Sequence, residues 1–323
     1  KSKKRKKGTF VQKIHWKQGL QSGWKTSLEL AKVVFPIAFF VHIAKHTFLL
    51  TWFANLLAPF MSLFGLNGEA AIPLVLGNVL NLYAALGAIG ALDLTVKQVF
   101  ILAVMLSFSH NMFIESALCR KVGVAVWVPL AVRGGLAALS GILIHLFWPG
   151  GNSKASVNLA SGGETVYSGW DEIIGSAFWT ATTGVLQFAA ILIPLTLFLQ
   201  ALKDLKVLDK IAVWISPFLK PFGIAKEGSV TMVSGLLAGL FLGAGLIIQQ
   251  AQEHNLSKRD ITLIIIFLAA CHAVIEDTVI FIPLGIPVQY LLLVRFGAAV
   301  LLTLAVARFW RRPAARYATS HHG

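Results

Sequence analysis

The feature that most constrains this chain is a set of polar and charged residues that lies inside apolar segments and occurs twice. Three residues of the first half recur 162 residues later in the second half: His110 and His272, Glu115 and Asp277, Arg133 and Arg295. Charged side chains inside membrane segments are costly, and they are therefore rare and usually functional. The repeated set indicates a duplicated membrane protein with a polar site shared between its halves.

The composition places the chain in a lipid bilayer. Of its 323 residues, 56% are hydrophobic and only 13% are charged, and the mean hydropathy is +0.74. A soluble domain is usually about 25% charged. Long apolar runs such as 124–148 and 261–270 are typical of membrane spans, which need about 20 apolar residues each. We therefore expect a multi-pass membrane protein.

The net charge of +14 does not indicate nucleic acid as a partner. Residues 1–18 carry eight lysines and arginines and no acid, and they precede the first apolar segment. Such a tail is explained by the positive-inside rule and by contact with anionic lipid headgroups. We expect it to lie in the cytoplasm.

The internal repeat extends along most of the chain. Segment 58–65 matches 216–223 at an offset of 158 residues, and the offset becomes 162 after the third element of each half. Each half is predicted to contain five apolar elements. They are 27–46, 48–64, 69–91, 97–118 and 123–148 in the first half, and 176–201, 207–222, 228–250, 259–282 and 286–310 in the second. Two similar halves with an odd number of crossings must be inverted relative to each other, as in many secondary transporters.

These elements predict an all-α polytopic membrane protein of two inverted-topology repeats, located in a bacterial inner membrane with both termini in the cytoplasm. The predicted regions are a basic tail (1–22), a first repeat (23–149), an extracytoplasmic linker (150–174), a second repeat (175–310) and a second cytoplasmic tail (311–323). The positive-inside rule favours ten spans over a topology in which 48–64 and 207–222 lie in the interface. Ten spans nevertheless place Lys220 and Lys226 on the extracytoplasmic side.

The polar run 107–116 interrupts an apolar element and corresponds to 271–278. By strict offset Glu115 matches Asp277, whereas by the shared Ile-Glu dipeptide it matches Glu276, and the sequence leaves both alignments open. On a regular helix His110 and Glu115 point about 140° apart, and a break or a π-bulge in the run 109–111 would bring them closer.

Three interpretations of the repeated set remain open. The residues can hydrogen-bond a polar solute, they can bind an ion or relay protons, or Arg133 and Arg295 can neutralise the acids in a structural network. The predicted substrate site comprises His110, Asn111, Glu115, His272, Glu276, Asp277, Arg133, Arg295, Asn78 and Asn81. A metal site is left unassigned, with His110, Glu115, His272 and Glu276 as candidate ligands.

The element 73–91 followed by Ser109, His110, Asn111 and Glu115 resembles the nucleoside-recognition or Gate domain family. The resemblance covers 27–148 and 176–310. It implies a membrane protein that moves a solute, but not a particular solute, since members range from nucleoside carriers to ferrous iron permeases. The second copy departs from the pattern, because Ala273 stands in place of Asn111 and Gly or Ala in place of the Asn pair.

The chain is thus predicted to be a secondary transporter of a small polar or anionic solute, with a nucleoside-like compound as one option. The alternatives are a divalent metal permease and a non-transport membrane scaffold that docks a partner through its basic tail. The sequence contains no P-loop, nucleophile elbow or HExxH motif. We therefore expect neither an enzyme nor an ATP-driven pump, and no cofactor. The predicted partners are the lipid bilayer and a small solute or ion, and the sequence leaves open whether the protein forms a homo-oligomer.

Overall fold

A computed structural model describes residues 14–155, 167–207, 210, 213–214, 216–224, 226–239 and 256–310. Within these ranges the regular elements are helices, and Thr95 and Lys154 form an isolated bridge. The predicted all-α class is therefore confirmed. Both predicted tails lie outside the described residues from 1 to 13 and from 311 onward, as does 156–166 of the predicted linker.

Seven α-helices form the first half. They are α1 (Trp16–Lys45), α2 (Phe48–Ser62), α3 (Ala71–Val79), α4 (Leu82–Ala91), α5 (Val96–Ser109), α6 (Met112–Lys121) and α7 (Trp127–Phe147). A 3-10 turn at Gly68–Ala70 leads into α3.

The described part of the second half repeats this order. Its α-helices are α8 (Trp170–Asp204), α9 (Lys226–Ala238), α10 (Lys258–Ala270), α11 (Glu276–Val279) and α12 (Val288–Phe309), with 3-10 segments at Ser216–Phe222 and Ile282–Leu284. Helix α8 begins at Trp170, inside the predicted linker 150–174. The predicted elements 207–222 and 228–250 lie partly outside the described residues.

Among the described residues, five helical segments are long and apolar enough to cross a membrane. They are Trp16–Lys45, Val96–Lys121, Trp127–Phe147, Trp170–Asp204 and Val288–Phe309. Helix α2 has 15 residues, which is about 22 Å at 1.5 Å per residue. The hydrocarbon core of a bilayer is about 30 Å thick, so α2 is too short to cross it upright.

The predicted element 69–91 is not one continuous helix. It folds into a hairpin of α3 and α4, joined at Leu80 and Asn81, and the Asn81 side chain caps α4 by accepting a hydrogen bond from the Ala84 amide at 2.9 Å. A Cβ atom on Gly77 would lie 2.9 Å from that of Ala85, whereas residues eight apart on a straight helix are about 12 Å apart. Each arm is long enough for only about half the bilayer.

The predicted elements 97–118 and 259–282 are both interrupted where their polar runs begin. The first breaks between α5 and α6, so of the two predicted alternatives the structure has a break rather than a π-bulge. The second breaks between α10 and α11. Helices α5 and α10 are buried along nearly their whole length, which explains why their sequences are apolar on every side rather than amphipathic.

Helices α1 and α8 occupy corresponding places in the two halves and pack against each other in opposite directions. Gly19 near the start of α1 lies against Leu197 near the end of α8. Further along α1, Phe35 makes an edge-to-face contact with Phe178 near the start of α8, with ring centroids 5.5 Å apart. A Cβ atom on Gly19 would come within 3.3 Å of the Leu197 backbone, so glycine allows the two helices to approach closely.

Candidate functional site

The ends of the two central helices meet inside the protein. His110 follows α5 and His272 lies just beyond α10, their ring centroids are 5.5 Å apart, and each residue is only 3% exposed. Each Nδ1 atom lies 2.8 Å from a carbonyl oxygen four residues earlier, that of Leu106 or Leu268. A carbonyl oxygen only accepts hydrogen bonds, so Nδ1 carries the hydrogen in both rings. The two Nε2 atoms are left for other partners.

A residue with a left-handed backbone conformation follows each histidine at the helix break. Asn111 has φ 51° and Ala273 has φ 43°, a backbone conformation in which helices commonly terminate. The Asn111 amide donates to the carbonyl of Gly77 at 2.9 Å, and the Ala273 amide donates to that of Gly235 at 3.4 Å. In each half a glycine of an earlier helix, α3 or α9, thus anchors the break, which turns the following acid toward the histidines.

The two carboxylates lie beside both histidine rings. Nε2 of His272 is 3.4 Å from Oε2 of Glu115 and 3.8 Å from Oδ2 of Asp277. Nε2 of His110 is 3.9 Å from an oxygen of each carboxylate. Each acid therefore faces the histidine of the other half as well as its own, so the four side chains form one site rather than two.

An arginine lies behind each carboxylate. Arg133 on α7 donates to Glu115 and to the carbonyl of His110, and Arg295 on α12 donates to Asp277 and to the carbonyl of His272, both at 3.0 Å. Both arginines are fully buried, and a buried charge needs such a partner. The structure thus selects the strict-offset alignment, in which Glu115 corresponds to Asp277.

A cavity of about 330 Å³ opens onto this site. The histidines and the two paired acids line one part of its wall, and Asn81, Tyr83, Asn111 and Glu276 supply further polar groups. Leu82 and Ile280 add apolar surface. This size is at the lower end of the range for small-molecule sites, and the mixture of donors, acceptors and apolar surface fits a small polar compound.

Seven of the ten predicted site residues line the cavity: His110, Asn111, Glu115, His272, Glu276, Asp277 and Asn81. The other three do not. Arg133 and Arg295 lie behind the acids, and Asn78 lies on α3, where its Oδ1 atom is buried without a hydrogen-bond partner among the described residues. Sequence reasoning missed Tyr83, although a phenolic hydroxyl in an apolar element needs a polar partner and is a signal of such a site.

One group of described residues has metal-binding geometry. His110, His272 and Asp277 each offer one ligand atom, and these atoms lie within 4.8 Å of one another. The hydrogen bonds from Nδ1 to backbone carbonyls orient the rings as the outer shell of a metal site does. Glu115 and Glu276, which were candidate ligands from sequence, do not belong to this group.

Comparison with known proteins agrees with the architecture. The model of the Gate family, described as nucleoside recognition, matches residues 27–126 and 185–287, which is more than half of the chain. An uncharacterized membrane protein of Bacillus subtilis (strain 168), YvoD, is 51% identical over 294 residues, covering 91% of this chain and 94% of that protein. No solved structure matches the chain.

Proposed function

The chain belongs to the Gate family of membrane proteins, and from this membership and the geometry of the site we propose that it is a secondary transporter of a small polar solute. The observation that carries the proposal is the polar cavity of about 330 Å³ where the helix breaks of the two halves meet. Secondary transporters bind their solutes at such interfaces between repeats, where helices are interrupted.

The distances within the site favour binding over a purely structural role. A network that only holds helices together gains most when its members bond directly, at about 2.7–3.2 Å. The Nε2 atoms of His110 and His272 instead lie 3.4–3.9 Å from the carboxylate oxygens. At this spacing the Nε2 atoms can bind a group that enters the cavity between the rings and the carboxylates.

The arginines make an anionic solute the weaker option. Arg133 and Arg295 were predicted to belong to the substrate site, but both are bonded to carboxylates and neither lines the cavity. The groups that do line it are amides, a phenol, imidazoles and carboxylates. A polar solute rich in hydrogen-bond donors therefore suits the cavity better than an anion, and nucleosides remain in the test panel because of the family description.

We further propose that each half crosses the membrane three times. The short α2 and the hairpin of α3 and α4 then do not cross, and they stay on the extracytoplasmic side, where α1 ends. The crossing elements are α1, α5 with α6, and α7 in the first half, followed by α8, 258–284 and α12 in the second. Three is an odd number, so the halves are inverted, and the opposite directions of α1 and α8 support this arrangement.

This topology also agrees better with the positive-inside rule than ten spans do. With a cytoplasmic N-terminus, the basic positions 120–121, 203–210, 220–226, 258–259 and 311–312 all lie in the cytoplasm. Lys220 and Lys226, which ten spans place outside, move to the cytoplasmic side. Both termini then lie in the cytoplasm of a bacterial cell.

Uptake into proteoliposomes tests the transport function. The panel consists of labelled nucleosides, nucleobases, amines, small carboxylates and divalent metals. We expect His110→Ala to reduce uptake of the transported compound at least tenfold, while gel filtration shows a folded protein. His46→Ala removes an exposed histidine that does not line the cavity, and it should transport normally. Uptake by His110→Ala at the wild-type rate would contradict the proposal.

A divalent cation is the second candidate cargo, because His110, His272 and Asp277 offer converging ligand atoms. Imidazole and carboxylate ligands together suit borderline divalent metals. This candidate predicts that a metal, and no organic compound of the panel, is taken up by the wild-type protein. Replacement of either histidine should then abolish the uptake.

A further inference from the structure

We propose that the solute is a small organic cation with several N–H donors, such as a primary ammonium or guanidinium compound, bound between Glu276 and the Nε2 atoms of His110 and His272. This inference rests on the proposed transport function and specifies its substrate class. It follows from the charge of the cavity, from its excess of acceptors and from the position of Glu276 in the repeat.

The charge of the cavity is the first argument. Glu115 and Asp277 are neutralised by the arginines behind them. Glu276 lines the same cavity and is accessible from it, but no lysine or arginine forms an ion pair with it among the described residues. The chain has no lysine or arginine between residues 227 and 257, so the undescribed stretch 240–255 cannot supply one. The cavity therefore has one carboxylate to offer to a cation.

The excess of hydrogen-bond acceptors is the second argument. Because Nδ1 of each histidine donates to a carbonyl, Nε2 of the neutral ring is an acceptor. These two acceptors face the oxygens of Glu115 and Asp277 at 3.4–3.9 Å. Acceptors that face one another repel unless a donor lies between them. An ammonium group has three N–H donors and a guanidinium group has five, so either can bond several of these acceptors at once.

The amides of the cavity allow the same ligand. Oδ1 of Asn81 accepts from the Ala84 amide, and Nδ2 of Asn111 lies 3.5 Å from Oε1 of Glu115. Leu82 and Ile280 provide an apolar wall for a short hydrocarbon part. The site thus suits a compact molecule with a cationic head and a few methylene groups.

The position of Glu276 in the repeat is the third argument. The histidines, the paired acids, the arginines and the anchoring glycines all recur in both halves and build the framework. Glu276 does not recur, because its counterpart 162 residues earlier is Ile114. An acid that the framework does not require, and that faces the cavity, is suited to selecting the solute.

Thermal unfolding of the purified full-length protein in detergent tests the inference with three compounds of equal chain length. They are 1,4-diaminobutane, 1,4-butanediol and succinate, each at millimolar concentration, with zinc chloride as a fourth arm. A ligand that binds the native state raises the apparent Tm by mass action. We expect the diamine to raise it by on the order of 3 °C, and the diol and succinate to leave it unchanged.

Two variants locate the effect. Glu276→Gln keeps the shape of the side chain and removes its charge, and it should weaken binding of the diamine at least tenfold. Glu29→Gln removes an exposed acid that pairs with Lys32 and does not line the cavity, and it should bind the diamine as the wild type does. A wild-type response in Glu276→Gln would overturn the inference.

The remaining outcomes separate this inference from the transport proposal. Stabilisation by the diol or succinate but not by the diamine would overturn the cationic substrate class while leaving the cavity as a solute site. Stabilisation by zinc alone would overturn it in favour of the metal cargo. A lack of response to all four, together with uptake of a neutral nucleoside in proteoliposomes, would overturn it and leave transport established.

Discussion

At the scale of single residues, two buried ion pairs hold the side chains of the site in place. Arg133 is fully buried and Glu115 is 3% exposed. Each arginine bonds both a carboxylate and the carbonyl of the histidine in its own half. The guanidinium group thereby ties the end of one helix to the start of the next, so that the acid and the imidazole are held side by side. The arginines therefore hold the acids in place and do not line the cavity.

Arg133→Met should therefore destabilise the protein strongly. It leaves the Glu115 carboxylate buried without its cation, and breaking a buried pair in this way costs about 3–5 kcal/mol. The double variant Arg133→Met/Glu115→Leu removes both charges and should recover most of that loss. Thermal unfolding in detergent measures both.

The matched control is Lys32→Met, which breaks the exposed pair of Lys32 and Glu29 and should leave the Tm unchanged, because exposed pairs contribute little. If Arg133→Met unfolded at the wild-type temperature, the structural role assigned to this arginine would be wrong.

At the scale of elements, the hairpin of α3 and α4 and the helix breaks depend on one another. The carbonyl of Gly77 in α3 accepts a hydrogen bond from the amide of Asn111 at the break. A Cβ atom on Gly77 would lie 2.4 Å from the side chain of Leu106 and 2.9 Å from Cβ of Ala85. The hairpin can therefore approach α5 closely only with glycine at this position.

Gly77→Ala should push the hairpin away from the break and thereby both destabilise the protein and weaken solute binding. Overpacking of this kind costs about 1–3 kcal/mol. Gly135→Ala is the matched control, since a Cβ atom there meets nothing within 4 Å. The measurements are the Tm in detergent and the increase in Tm on addition of 1,4-diaminobutane. Equal Tm values and equal ligand responses for the two variants would contradict the proposed coupling.

At the scale of the whole molecule, the proposed three crossings per half depend on α2 and on the hairpin of α3 and α4, which are too short to cross upright. Three crossings per half place Ser62, at the end of α2, outside the cell and Lys220 in the cytoplasm. Ten spans reverse both positions. A membrane-impermeant maleimide applied to intact cells should therefore label Ser62→Cys and leave Lys220→Cys unlabelled until the membrane is opened.

Lys154→Cys and Lys121→Cys are the controls for this experiment, because both topologies place position 154 outside and position 121 inside. The native Cys119 and Cys271 are buried and should contribute little background. Labelling of Lys220→Cys but not of Ser62→Cys in intact cells would restore the topology of ten spans.

The membrane class, the duplication and most of the polar residues that meet at the helix breaks were accessible from sequence. Charged residues in apolar segments at one repeated spacing are a linear signal, since their cost in a membrane does not depend on the detailed fold. An irregularity near His110, either a break or a π-bulge, was expected from helix geometry alone, because a regular helix separates His110 from Glu115.

Only the tertiary structure decided which way these residues face. The largely apolar segment 69–91 reads the same whether it forms one span or two half-length helices that fold back on each other, because both arrangements bury the same apolar side chains. Likewise, spacing identified Arg133 and Arg295 but could not tell whether they face a solute or a carboxylate, since packing of α7 and α12 against the helix breaks determines that direction. For the same reason, the sequence left Glu276 and Asp277 equivalent, whereas the fold bonds Asp277 to an arginine and exposes Glu276 to the cavity.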